Sequence, residues 1–178
     1  MNPDIFYNQG VTWDEYFYNM RKYQRIMARN IAFCKLPPED EALWRKADHI
    51  AHVLVFTEDY CPDSINAIPP LMAIAKVASF DLRVMTRDDA IERMIAITGD
   101  DTPRIPTFLF YDGDWHEVGR FVERPDALNR MDELDPETAM MLRQSRSAFT
   151  EWVWEQVFAE LRAIAEQGRH GRGRFRHA

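Results

Sequence analysis

A chain of 178 residues is long enough for one well-buried domain with additions and too short for two large ones. Its 46% hydrophobic content implies a substantial core, and a formal net charge of −7 argues against nucleic acid or an anionic membrane as partner of its body. The longest apolar runs, Val53–Phe56, Ala67–Ala75 and Ile105–Tyr111, fall far short of the roughly 20 residues that span a bilayer, so no membrane partner is expected.

The first twenty residues carry Asp4, Asp14 and Glu15 and lack the basic-then-apolar pattern of a signal peptide. Two cysteines, Cys34 and Cys61, are too few for a secreted disulfide framework in a chain of this length. The expectation is a cytoplasmic protein with reduced thiols.

In chain order, Thr12 caps a helix and Glu15, three residues on, completes a capping box. Tyr16, Met20, Tyr23, Ile26, Met27 and Ile31 recur at helical spacing, and Leu36-Pro37-Pro38 ends the helix. Residues Asp40–Ala47 read as a second short helix, so 1–48 form an N-terminal helical extension. The short apolar run Ile50–Phe56 suits a strand buried on both faces. A helix follows from Cys61 to about Ala78, then a strand over Asp81–Met85, a helix over Arg87–Ile97 and a loop over Gly99–Arg104. Thr107–Tyr111 is a strand, Asp112-Gly113 turns the chain into a hairpin partner over Trp115–Phe121, and Pro125–Met131 begins a further helix. The order is β-α-β-α-β-β-α over residues 49–131, an α/β core.

Asp135-Pro136-Glu137 opens a long helix expected to reach Gln167, where Gly168 ends it. Phe149, Trp152, Val153, Val157, Leu161 and Ile164 form one apolar stripe on it. The stripe packs on the protein's own body, against Trp13, Tyr16 and Tyr23; a homodimer interface is the alternative. Residues 168–178, with Arg169, Arg172, Arg174 and Arg176 among glycines, read as a flexible basic tail.

The chemistry gathers around Phe56-Thr-Glu-Asp-Tyr60-Cys61-Pro62-Asp63-Ser64, followed by Pro69 eight residues after the cysteine. Ile105-Pro106-Thr107 stands 45 residues beyond Cys61, and Gly119 follows the hairpin. In this order the segment from His49 to about Met131 resembles the thioredoxin-like superfamily. The Cys-x-Asp-Ser form and Arg87-Asp88-Asp89 look most like a bacterial monothiol subfamily. The resemblance implies a thioredoxin-like fold, a cis-proline at Pro106 close to the Cys61 sulfur, and a kink at Pro69. It also implies docking of a partner's backbone at Ile105-Pro106, with Tyr60, Pro62, Asp63 and Arg104 around it. The flanking helices, Met1–Ala47 and Asp135–Gln167, lie outside it.

A cysteine opening a helix sits among unpaired N–H groups at the positive end of the dipole, which stabilises thiolate. Pro62 occupies the first helical position without wasting a donor. Ser64, three residues on, is placed to donate a hydroxyl to the sulfur, but it cannot displace a bound thiol as a second cysteine would. Glu58, Asp59 and Asp63 surround Cys61 and oppose a thiolate, and Arg104 is the candidate countercharge. Val55 stands where many thioredoxins carry a buried carboxylate. Cys34 reads as a small buried hydrophobe. His49, His52 and His116 lack metal-ligand spacing with the cysteines, and neither a metal nor a cofactor is expected. Two functions remain: monothiol thiol–disulfide exchange on protein disulfides or a low-molecular-weight thiol, with Cys61 and Ser64 as the reacting pair, or a non-catalytic binding or scaffold module.

Overall fold

Alternating side chains on two strands build the centre of the molecule. The computed structural model describes residues 2–171. Strand β1 (His52–Thr57) pairs in parallel with β2 (Asp81–Thr86) and antiparallel with β3 (Thr107–Tyr111), which pairs antiparallel with β4 (Glu117–Val122). The sheet order is β2-β1-β3-β4. Val53 and Val55 of β1, with Phe108 and Phe110 of β3, face one apolar cluster; Leu54 and Phe56, with Leu109 and Tyr111, face another. Period-two alternation thus feeds two cores from one pair of strands, and apolar side chains on both faces make the runs read as continuous.

Helix α5 (Pro62–Ala75) crosses from β1 to β2, and α6 (Arg87–Thr98), interrupted at Ala90, leads from β2 toward β3. Pro69 and Pro70 both lie inside α5. After β4 come the short helix α7 (Asp126–Asn129) and a 3₁₀ turn at Met131–Glu133. This is the thioredoxin-like α/β order expected for residues 49–131.

The flanks differ from expectation. Before β1 lie α1 (Pro3–Tyr7), which was not foreseen, α2 (Trp13–Asn19), α3 (Gln24–Phe33) and α4 (Pro38–Trp44). The Thr12–Glu15 capping box is present. The single helix expected from there to Ile31 is broken between α2 and α3, where Tyr23 takes a left-handed conformation with φ 53°. The break is held from outside: Asp59 Oδ2 accepts from Arg21 N at 2.7 Å and Lys22 N at 2.9 Å. Backbone donors bound to a carboxylate no longer need helical partners. An antiparallel bridge between Val11 and Val84 ties this region to β2.

The expected helix over 135–167 is two, α8 (Pro136–Gln144) and α9 (Arg146–Gly171), because Ser145 takes an extended conformation. Its Oγ accepts from Ala148 N at 3.2 Å, a serine cap that starts a new helix. The backbone stays helical through Gly171, so Gly168 does not end it; the rest of the basic tail, 172–178, lies outside the described residues. Val153, Val157, Leu161 and Ile164 are buried within the single chain. Helix α9, which carries them, packs chiefly on α5, α8, β4 and α4 rather than on the Trp13, Tyr16 and Tyr23 region that was expected, and their burial leaves none of these four for a second copy. Asp40 of α4, buried, is gripped by Arg162 of α9 at 2.5 Å and 3.1 Å. Among the described residues no helix is long and apolar enough to cross a membrane.

Candidate active site

Strand β1 delivers the chain to residues 58–61, and Cys61 becomes the N-cap of α5 in an extended conformation (φ −80°, ψ 120°) with Pro62 following as the first helical residue. Cys61 N donates to Glu58 O at 3.2 Å, closing the loop. The side chain turns inward, 8% exposed, and Sγ donates to Ile105 O at 3.5 Å. The Ile105–Pro106 peptide is cis. Thr107 Oγ1 donates to Arg104 O at 2.6 Å and fixes that loop. Among the described residues nothing accepts from the Ile105 N–H, so a backbone donor is free beside the sulfur. Cys61, Pro62, Ile105 and Pro106 therefore come together.

Ser64 does not meet the sulfur as its spacing suggested. It is 2% exposed, and its Oγ accepts from Thr57 Oγ1 at 2.8 Å. A serine one turn into the helix points back at the end of β1, so it anchors the first turn instead of solvating Cys61.

The charges also arrange differently. Arg104 is exposed and pairs with Glu123 at 3.1 Å. The cation that reaches the helix entrance is Arg124, whose Nη2 lies 3.2 Å from Asp63 Oδ2 and 2.7 Å from Glu123 Oε1. Burial raises the Asp63 carboxyl, and the Arg124 charge opposes that rise. Sequence reasoning passed over Arg124, although a register signal existed: the hairpin sets Thr107 opposite Val122, so residues 123–124 must lie beside 105–106.

The two acids before Cys61 are engaged elsewhere. Asp59 holds the Arg21 and Lys22 amides. Glu58, 8% exposed, accepts from Asp88 N at 2.8 Å, and burial still raises its carboxyl above the ordinary value. Tyr60, on the rim, donates to Asp88 Oδ2 at 2.7 Å and accepts from Arg87 Nη2 at 2.9 Å; the Asp88 acceptor raises its phenol.

Both cysteines are free thiols. Cys34 is buried in the cluster on the opposite sheet face from Cys61, and burial pushes its thiol up to about 12. Val55 is likewise buried among apolar side chains. His52 stacks on Trp115 at 4.1 Å. Asp112, Asp114 and His116 gather in the hairpin turn, where Asp112 Oδ1 accepts from the backbone of the other two. What the arrangement offers chemically is one thiol at a helix entrance, beside a free backbone donor, with no second cysteine in the motif.

A family model described as thioredoxin matches residues 10–138, so the match begins within the N-terminal helices that the motifs alone leave out. No curated protein sequence matches the chain. Among solved structures, a protein of unknown function from Pseudomonas aeruginosa is similar at a TM-score of 0.72 and 21% identity, over 90% of this chain and 94% of its own. An HIV epitope-scaffold is similar at 0.73 and 18% identity, over 93% of this chain and 98% of its own. At such identities these two likenesses speak to the fold.

Proposed function

Because the chain belongs to the thioredoxin family, we propose that it performs thiol–disulfide exchange through Cys61 alone, as a monothiol member of that family. One observation carries the reading: the Cys61 sulfur lies 3.5 Å from the Ile105 carbonyl, next to an Ile105 N–H without an acceptor. A partner strand laid along Ile105-Pro106 uses that donor and brings its own disulfide to the sulfur, with Tyr60, Pro62 and Asp63 at the rim.

The Cys61 thiolate attacks one sulfur of the partner disulfide. A new sulfur–sulfur bond forms, and the other partner sulfur leaves as a thiolate. Ser64 has no sulfur and is held by Thr57, so the mixed disulfide waits for an external thiol. That thiol attacks, takes the partner fragment with it as a disulfide and returns Cys61 as thiolate. Protein disulfides and low-molecular-weight thiols both fit this sequence, and a reducing cytoplasmic setting suits the two free thiols.

Incubation with an oxidised small thiol is expected to give one adduct per chain, at Cys61 by mass spectrometry, removed by added thiol. Cys61→Ser abolishes it and Cys34→Ser leaves it intact. An unmodified Cys61 under conditions that modify a free thiol sinks the proposal. It would favour the second reading, a non-catalytic binding module, whose supporting observation is the burial of Cys61.

A further inference from the structure

We propose that Arg124 is the positioning residue of this site: its guanidinium neutralises Asp63 at the entrance of α5 and so keeps the Cys61 sulfur reactive. The inference rests on the exchange role of Cys61 and deepens it.

The geometry is a ladder of alternating charge. Arg104 meets Glu123 at 3.1 Å, Glu123 meets Arg124 at 2.7 Å, and Arg124 meets Asp63 at 3.2 Å. The ladder starts on the Pro106 loop, crosses the end of β4 and ends two residues past Cys61. The backbone is bent to build it. Glu123 is held left-handed at φ 66°, a conformation costly for a non-glycine residue, and its N–H donates to Pro106 O at 2.6 Å. Such a bend persists where the surroundings fix it, and here it carries Arg124 against the helix entrance.

Of the other charged and titratable groups near Cys61, Tyr60, Arg87 and Asp88 bind one another on the rim. Asp59 is bound by two backbone amides, and Glu58 is buried against the Asp88 amide. Tyr16 of α2, whose phenol feels the Cys61 charge, is kept neutral chiefly by burial. Arg104 is spent on Glu123 at the exposed end of the ladder. Asp63 is the carboxylate nearest in sequence along the helix, and Arg124 is the cation paired with it; Cys61 and Arg124 interact electrostatically as well. Arg124 Nε is buried without a hydrogen-bond partner among the described residues, leaving a spare donor on the same guanidinium.

The test is the rate of Cys61 alkylation by iodoacetamide across pH, site-resolved by mass spectrometry, in the full chain. The charges of Arg124 and Cys61 interact, and losing an opposite charge moves a thiol's titration upward, by about one unit where the two lie within about 4–6 Å. Arg124→Gln is therefore expected to move the rate curve to higher pH and slow the reaction about tenfold on its rising limb. Arg124→Lys, which keeps the charge, restores most of the rate. Asp63→Asn alone reacts faster than the parent, and Asp63→Asn with Arg124→Gln returns the curve toward the parent. Curves for Arg124→Gln and parent that superimpose overturn the proposal. So does a double variant as slow as Arg124→Gln, because Arg124 is then not acting through Asp63. Asp63→Asn leaves the ladder's backbone in place and decides the matter should Arg124→Gln not fold: no acceleration refutes it. Absence of a mixed disulfide in the parent, with the displacements still present, refutes the exchange reading and not this one.

Discussion

Gly119 lies on β4 opposite Phe110, on the sheet face covered by α9. A Cβ at this position stands 2.9 Å from Ile164 Cγ2 and 3.2 Å from Cγ1. Carbon atoms in packed interiors settle at about 3.5–4.0 Å, so Gly119→Ala demands a separation of roughly 0.6–1 Å between strand and helix. Ile164 cannot swing aside, since a β-branched side chain in a helix has one strongly preferred rotamer. Overpacking of this kind costs about 1–3 kcal/mol. Reduced freedom of the unfolded chain returns about 0.4–1 kcal/mol. The net loss is about 1–2 kcal/mol, a fall in Tm of about 2–8 °C for a chain of this size. Ile164→Ala alone opens a cavity at a cost of about 2–5 kcal/mol. In the double variant the alanine methyl takes part of that space, so the combined loss is expected to be smaller than the sum by about 1 kcal/mol or more. Urea unfolding of the four proteins measures the cycle. A Gly119→Ala protein as stable as the parent, or strictly additive losses, would refute close packing of β4 on α9.

Glu58→Gln tests the buried acid beside the site. Its carboxyl is raised in the folded chain, so between the unfolded and folded values the folded state holds more protons and stability falls as pH rises. The glutamine variant should match the parent near about pH 4 and exceed it at pH 7, as read by denaturant titration at both; equal stabilities at pH 7 would contradict the burial cost. Thr57→Val strands the Ser64 hydroxyl in the interior and should cost about 1–3 kcal/mol, whereas Thr57→Val with Ser64→Ala should recover most of it. A double variant no better than the single would mean the bond is not what holds that turn.

The central sheet was legible because its signals are local. The run Thr107–Tyr111 alternates between two apolar faces and is bounded by a proline and an Asp-Gly turn, and the strand has those same limits. The helix entrance at Cys61-Pro62 was equally legible, since proline at the first helical position announces itself. What failed depended on contacts distant in sequence. Nothing between Met20 and Tyr23 signals a break; the carboxylate that creates it belongs to Asp59, far along the chain. Ser145 did offer a local capping signal, masked by helical periodicity on either side. Arg104 stands closest to Pro106 in sequence, and only the paired hairpin brings Arg124 next to the helix entrance. Spacing alone sets Ser64 near Cys61, while the helix turn aims it at Thr57.

The Asp59 clamp has a consequence for anyone wishing to shorten the protein. The amides of Arg21 and Lys22 occupy a carboxylate two residues from the cysteine. Trimming the chain to begin at α3 removes both donors and Tyr16 together. It leaves the carboxylate of Asp59 without the donors that fix it. The first helices look like a dispensable preface, yet the backbone that follows them holds the Asp59 carboxylate in place. A minimal version cut to the sheet and its crossover helix would lose that hold at the entrance to α5.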